Sequence, residues 1–261
     1  MSNFSFAIGA DPELFVSDGI MARSVIGKVG GSKENPMPLP IGDGFCVQED
    51  NVAMEFNIPP SKNKEEFVSN IVKATDFLEN VVAAQHGWKF DKRSAISFAM
   101  EELDDPRAFI FGCEPDYNAW TGRINPRPNS QDKTLRSAGG HVHIGCKHLR
   151  VNARRVIRAC DLFLGVPSVL MDDGELRKQL YGKAWAFREK SFGVEYRTLS
   201  NFWIFDPKYV EWVYSSTERA LEAALAKMPV EQERDNILLA INNNDKAVAE
   251  MLVDKYNLEV V

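Results

Sequence analysis

Five short segments of this chain carry ionisable side chains where a β-strand would turn them to a common side, and that spacing limits the folds open to it. Successive strand residues point to opposite faces, so residues two apart share one. Asp11-Pro12-Glu13 is such a pair, and the proline between them predicts an edge or a bulge. Glu55 lies in V-A-M-E-F, with Asn57 on its side and Asp50 a few residues earlier. A carboxylate among apolar neighbours is costly unless paired or metal-bound. His141 and His143 follow two glycines in G-G-H-V-H-I-G, and glycine lets another backbone or a phosphate come close. Glu195-Tyr196-Arg197 sets a carboxylate and a guanidinium on one face, and the run from Arg177 through Arg188 to Lys190 adds cations just before it.

Each segment also has a plainer reading. An Asp-Pro pair starts surface turns, Glu55 would face water on an amphipathic strand, and paired histidines serve as hydrogen-bonded polar residues. Glu195 with Arg197 is then a salt bridge, and the Arg177–Lys190 run a helix end with solvated cations. Together, though, carboxylates, one H-x-H and arginines in strand spacing point to a hard divalent cation, Mg²⁺ or Mn²⁺ rather than Zn²⁺. Arginine's planar fork suits phosphate. Two such ions beside arginines are the equipment for moving a phosphoryl group.

The sequence between these segments reads as strands and helices mixed. Strand-like sequence covers Phe4 to about Pro60, broken by a loop from Gly27 to Gly44 in which P-M-P-L-P excludes regular structure. Ser61 to about Gly87 reads as a helix, with Phe67, Ile71, Leu78, Val81 and Val82 near one face. Strand-like pieces follow at Ala95–Met100 and Ala108–Phe111, then a polar loop from Asn118 to Arg136. A helix is expected from Asn152 to Met171, strands at A-W-A-F-R and G-V-E-Y-R-T-L, and helix from Pro207 onward, started by Asp206-Pro207. Without a βαβ rhythm, this order predicts an α+β fold with an antiparallel sheet.

Composition narrows the setting. The 261 residues are 44% hydrophobic and 26% charged, enough for a core without staples. No apolar run of about 18 residues is present, so no membrane span is expected. Met1 to Ser5 lacks a basic and apolar leader, and Cys46, Cys113, Cys146 and Cys160 form no C-x-x-C. Both point to a reduced cytoplasm. The net charge of −6 argues against nucleic acid as the main partner. The basic cluster from Lys147 to Arg158 reads as one solvated helix face.

The order of motifs resembles a known superfamily, that of glutamine synthetase and glutamate–cysteine ligase. The segments G-A-D-P-E-L-F, A-M-E-F-N-I-P-P, G-C-E-P-D-Y-N-A-W, R-S-A-G-G-H-V-H-I-G and G-V-E-Y-R-T-L-S-N-F-W are similar to the phage-associated amidoligases, the COOH·NH2 ligase type 2 family. The likeness spans about Ala7 to Trp203. It implies a curved, mainly antiparallel sheet of the glutamine synthetase catalytic type, with helices on its outer face. One catalytic domain would cover residues 1–261, with a helical part from about 206 to 261, in the host cytoplasm if the chain is phage-encoded.

The resemblance also implies an ATP-dependent ligase that joins a carboxylate to an amine through an acyl phosphate, using Mg²⁺ or Mn²⁺. Asp11, His141 and Glu195 would hold one metal, and Glu13 and Glu55 the other, with Asp50 or Glu49 as its third ligand. His143 and Arg197 would face the γ-phosphate, with Arg188 and Arg177 neutralising charge. Two departures from the superfamily stand out: Asp11 replaces the usual Glu, and the acid before Glu55 is not at the usual distance. The G-C-E-P-D-Y-N-A-W segment has no counterpart in glutamine synthetase. There Glu114, Asp116 and Asn118 either line an amine pocket, with Glu114 or Asp116 deprotonating the amine, or form a plain turn. The substrates would be ATP with small-molecule or peptide carboxylates and amines; an oligomer is compatible with the family. The rivals are a metal-dependent phosphotransferase or hydrolase on the same fold, and a silent binding protein, against which the complete set of ligands counts.

Overall fold

The computed structural model describes residues 4–110, 115–126, 128 and 130–261. Six strands build the part of the sheet that matters for the site: β1 (Ala7–Ser17), β2 (Cys46–Asp50), β3 (Ala53–Asn57), β4 (Gly140–Gly145), β5 (Ala186–Lys190) and β6 (Gly193–Tyr196). They stand in the order β2-β3-β1-β4-β6-β5, and each neighbouring pair is antiparallel. Short pieces at Met37–Pro38 and Tyr117–Asn118 extend the two edges, while Ala22–Arg23 and Lys89–Asp91 pair with the end of β1. The fold is α+β with a large antiparallel sheet, as the mixed order of elements predicts.

Register sets which residues meet. Asp11 lies opposite His141, and Gly9 opposite His143. His143 lies opposite Glu195, Arg188 opposite Glu195, and Glu13 opposite Glu55. The alternate residues Leu14, Met54, Phe56, Val142, Ile144, Phe187, Val194 and Tyr196 are buried in the main core. A strand offset by one residue would exchange these two sets, so the apolar face fixes the polar one.

Helices cover the apolar face: α1 (Lys64–Phe77), α2 (Ala153–Cys160), α3 (Val166–Met171), α4 (Pro207–Leu225), α5 (Arg234–Asn242) and α6 (Lys246–Tyr256). Asn63 caps α1 by accepting from the Glu66 N–H, and Asp206 caps α4 ahead of Pro207. The expected helix from Ser61 to Gly87 is α1 continued through a π turn, Leu78–Ala83, and it stops at Gly87 with φ +71°. The expected helix from Asn152 to Met171 is α2 and α3 joined by a second π turn, Asp161–Gly165. Phe67 of α1 stacks on Trp203 with 5.9 Å between ring centroids, bringing α1 against the segment that follows β6.

Four local expectations need correction. Met37–Pro38, inside the stretch expected to exclude regular structure, is a short edge strand, with Met37 opposite Val47 and Pro38 opposite Cys46. Pro106–Phe109 is a 3-10 turn, not a strand, because Asp105 accepts from the Arg107 N–H and Pro106 presets the first turn. The last residue of that expected strand, Phe111, lies outside the described residues. The polar loop from Asn118 to Arg136 contains strand at both ends, at Tyr117–Asn118 and Leu135–Ser137. Pro12 is on an interior strand, not an edge. It is tolerated where the β1–β4 pairing ends, at Pro12–Gly140, and the β1–β3 pairing begins, at Glu13–Glu55. Among the described residues no helix is long and apolar enough to cross a membrane.

Candidate active site

The polar face of the sheet floors a cleft of about 480 Å³. Asp11, Glu13, Asp50, Glu55, His141, His143, Arg177, Arg188 and Arg197 all line it, so the residues singled out by their strand spacing converge. Glu195 does not line the cleft; it is fully buried next to it and faces three cations. Arg197 Nη1 donates to Glu195 Oε1, Arg188 Nη1 lies 3.4 Å from the same oxygen, and Lys190 Nζ lies 2.7 Å from Oε2. Asp11 sits between the histidines, with its Oδ1 3.4 Å from His141 Nδ1 and its Oδ2 3.1 Å from His143 Nε2. His141 Nδ1 is also 3.9 Å from Glu195 Oε1 and 3.4 Å from Arg197 Nη1.

One subset fits a cation closely. Asp11, His143 and Glu195 each offer a ligand atom within 4.8 Å of the other two, and among the described residues they form the one trio so compact. Asp11 Oδ1 and His143 Nε2 are buried without hydrogen-bond geometry to any partner. Buried polar atoms normally find a partner, and two carboxylates with an imidazole suit a divalent metal. Of the two histidines, His143 completes the tight trio, while His141 borders it. Glu13, Asp50 and Glu55 form a looser acidic group beside it in the cleft.

Charge divides the cleft into two ends. Burial drives the Glu13 carboxyl up to about 7, and the negative charge of Asp50 adds to the effect. Burial also lifts Glu55 well above the usual carboxylate range, helped by Asp11, Asp50 and Glu13. Asp50 is exposed to solvent on one side, yet desolvation against the cleft raises it as well. At the other end burial opposes ionisation too, but Arg197 outweighs it and holds Glu195 down to about 2. Asp11 is likewise held well below its ordinary range against burial, by His143 and His141. His141 is pushed down to about 4 by burial and by the Arg197 charge. His143 is raised, because Asp11 overcomes the cost of its burial. Acids that resist ionisation at one end mark a place where added positive charge is welcome.

The remaining expected residues fall out unevenly. Asp116 reaches the site, with its Oδ2 3.7 Å from Arg197 Nε. Glu114 lies outside the described residues. Asn118 supports the plain-turn reading, since its Oδ1 accepts from the Trp120 and Thr121 N–H groups. Arg177 lines the cleft while donating backward, to the carbonyls of Thr198 at 3.0 Å and Arg197 at 3.4 Å. Burial lowers it to about 10. Glu49 is committed elsewhere: both its oxygens accept from the N–H groups of Gly27, Lys28, Val29 and Gly30 at 2.8 to 3.1 Å. That leaves Asp50, not Glu49, as the acid beside Glu55.

The two glycines before the histidines also have a definite reason. A Cβ on Gly139 would collide with the His141 ring, and one on Gly140 with the Ser200 carbonyl and the Trp203 indole. The close approach is protein on protein rather than phosphate. Sequence reading took Lys190 only as one cation of a run and did not single out Gln48, yet both line the cleft, and each lies two residues from a chosen one, Arg188 or Asp50. The strand spacing alone could have found them.

Residues 129–240, which carry the histidines and arginines of this face, fit a family model of carboxylate–amine ligases. That model is the phage phiEco32-like COOH.NH2 ligase-type 2, and the match over this stretch supports the amidoligase resemblance read from the motifs. The matched stretch carries His141, His143, Arg177, Arg188, Glu195 and Arg197, whereas Asp11, Glu13, Asp50 and Glu55 precede it. No curated protein matches the chain.

Proposed function

We propose that this protein is an ATP-dependent carboxylate–amine ligase that forms an amide through an acyl phosphate, with two divalent ions, Mg²⁺ or Mn²⁺. The observation that carries the reading is the compact Asp11–His143–Glu195 trio set against Arg188, Lys190 and Arg197, three cations that line the cleft. Glu13, Glu55 and Asp50 would hold the second ion, and His141 would brace the first. Bound there, the ions would neutralise phosphate oxygens.

The chain's own residues account for the rest. Arg197 and Arg188 stand where a transferring phosphoryl group gathers negative charge, a mainly electrostatic task. A carboxylate is a poor acyl donor, because its leaving group would be oxide. Attack of its oxygen on the γ-phosphorus of ATP releases ADP and creates a mixed anhydride, from which phosphate can leave. The amine nitrogen then attacks the acyl carbon, phosphate departs, and the amine's proton passes to a nearby carboxylate. Asp116, beside Arg197, is suited to that role.

The test is ADP release from ATP and Mg²⁺ in the presence of amino acids and polyamines, with mass spectrometry for the amide. Amine-dependent ADP release with a matching amide is the expected result. ADP formed equally well without any amine would replace the ligase with a hydrolase or phosphotransferase.

A further inference from the structure

On the far side of the sheet from the cleft, Asp161 is fully buried in the helix layer and plays no part in the chemistry above. Its Oδ2 accepts from the Trp185 N–H at 2.8 Å. Its Oδ1 accepts from the Tyr196 hydroxyl at 3.1 Å and lies 3.4 Å from the Thr198 hydroxyl, which also reaches the Lys183 carbonyl at 3.1 Å. A buried carboxylate is costly unless its partners are well placed, and these three donors are not scattered. Tyr196 separates Glu195 from Arg197, and Thr198 follows Arg197. The alternation that turns Glu195 and Arg197 to the cleft side of the sheet therefore sends Tyr196 and Thr198 back to Asp161.

The third donor belongs to the other strand. Trp185 immediately precedes β5, which carries Arg188 and Lys190 to Glu195. Its backbone has φ +69°, a left-handed conformation that a side chain makes unfavourable by roughly 1–2 kcal/mol. The bond to Asp161 helps hold it. Two further features serve the same contact. Asp161 opens the π turn Asp161–Gly165, a distortion found often at functional sites. At the end of that turn, a Cβ on Gly165 would come within 2.7 Å of the Tyr196 hydroxyl, so glycine clears the room that the hydroxyl needs.

We propose that Asp161 is a positioning residue, a single buried carboxylate that ties β5 to β6 from behind and so holds Glu195, Arg197 and Arg188 in place around the cation site. The inference rests on the metal-site part of the functional reading but not on amide formation.

The test uses the whole protein and three substitutions. Asp161→Ala removes both acceptor oxygens, Asp161→Asn keeps the volume and one of them, and Tyr196→Phe removes one donor. Far-UV circular dichroism reports the fold, titration with Mn²⁺ reports the site, and amide hydrogen exchange over residues 185–198 reports the two strands. Asp161→Ala should weaken Mn²⁺ binding about tenfold or more and speed exchange in that segment, with smaller losses in Asp161→Asn and Tyr196→Phe. Should Asp161→Ala not fold, the other two carry the comparison. Folded variants that bind Mn²⁺ as the wild type does, whatever their melting temperatures, would overturn the proposal, since Asp161 would then only fill the core. Amine-dependent ADP release is measured alongside. A wild type that binds Mn²⁺, loses it in the Asp161 variants and makes no amide would sink the ligase and leave the Asp161 role standing. A wild type that binds no Mn²⁺ would sink both.

Discussion

At Glu195 one carboxylate answers Arg197, Arg188 and Lys190 in a place solvent does not reach. Glu195→Gln keeps the shape and removes the one carboxylate that Arg197, Arg188 and Lys190 share. Breaking a buried pair from one side costs about 3–5 kcal/mol, so the urea midpoint should drop clearly while Mn²⁺ binding is lost. A variant as stable as the wild type would mean that the cations pair elsewhere. Glu13 gives a prediction of opposite sign. Its folded carboxyl titrates near 7 against 4.5 for the free group, so the folded chain holds that proton more tightly. The resulting stability is fully present below the free value and is lost as pH rises toward 7. Glu13→Gln cannot ionise, so in metal-free buffer its stability relative to the wild type should climb from about pH 5 to about pH 7.5. A flat difference across that window would contradict the crowding of the acids. At this scale the sequence was informative where a two-residue repeat exposed a shared face, as for Asp11 with Glu13 and His141 with His143. It was silent on Asp161, because an acid in a helix reads as surface until its burial is seen.

Single elements depend on contacts that leave little or no trace in local sequence. β4 begins at Gly140, pressed so close to the Ser200 carbonyl and the Trp203 indole that a methyl group has no room. Gly140→Ala should cost ~1–3 kcal/mol or more through overpacking and should weaken Mn²⁺ binding by moving His141 and His143. Gly87→Ala is the comparison, because nothing lies within 4 Å of its Cβ position and only a left-handed φ of +71° is at stake. Its cost of roughly 1–2 kcal/mol should come with unchanged Mn²⁺ affinity. Equal effects on the metal from both variants would disconnect the β4 packing from the site. Helices α1, α2 and α4 were legible from their apolar spacing and caps. The π turns were not, since one added residue per turn hardly disturbs an apolar stripe. Pro106–Phe109 misled because a short apolar run fits a strand and a 3-10 turn equally well.

Across the whole molecule one core joins sheet and helices: Ile8 and Val142 share it with Val210, Trp212, Leu221, Ile237 and Leu252. We therefore expect residues 1–206 alone to lack a cooperative fold, as judged by dispersion in a proton NMR spectrum. A well-dispersed spectrum would make the helical part from 207 onward a separate unit. The antiparallel α+β class could be read from the irregular order of elements, but the insertion of β1 between β3 and β4 could not, because that order is settled by long-range packing. The Gly27–Gly30 turn, plugged by Glu49 from within, has a directional consequence. Four amides that would otherwise make a small anion cup are already satisfied. Under the proposed function a polyphosphate tail would gain nothing from these amides and would be drawn instead to Arg188, Lys190 and Arg197 along the cleft, which would give the entering reactants a set polarity.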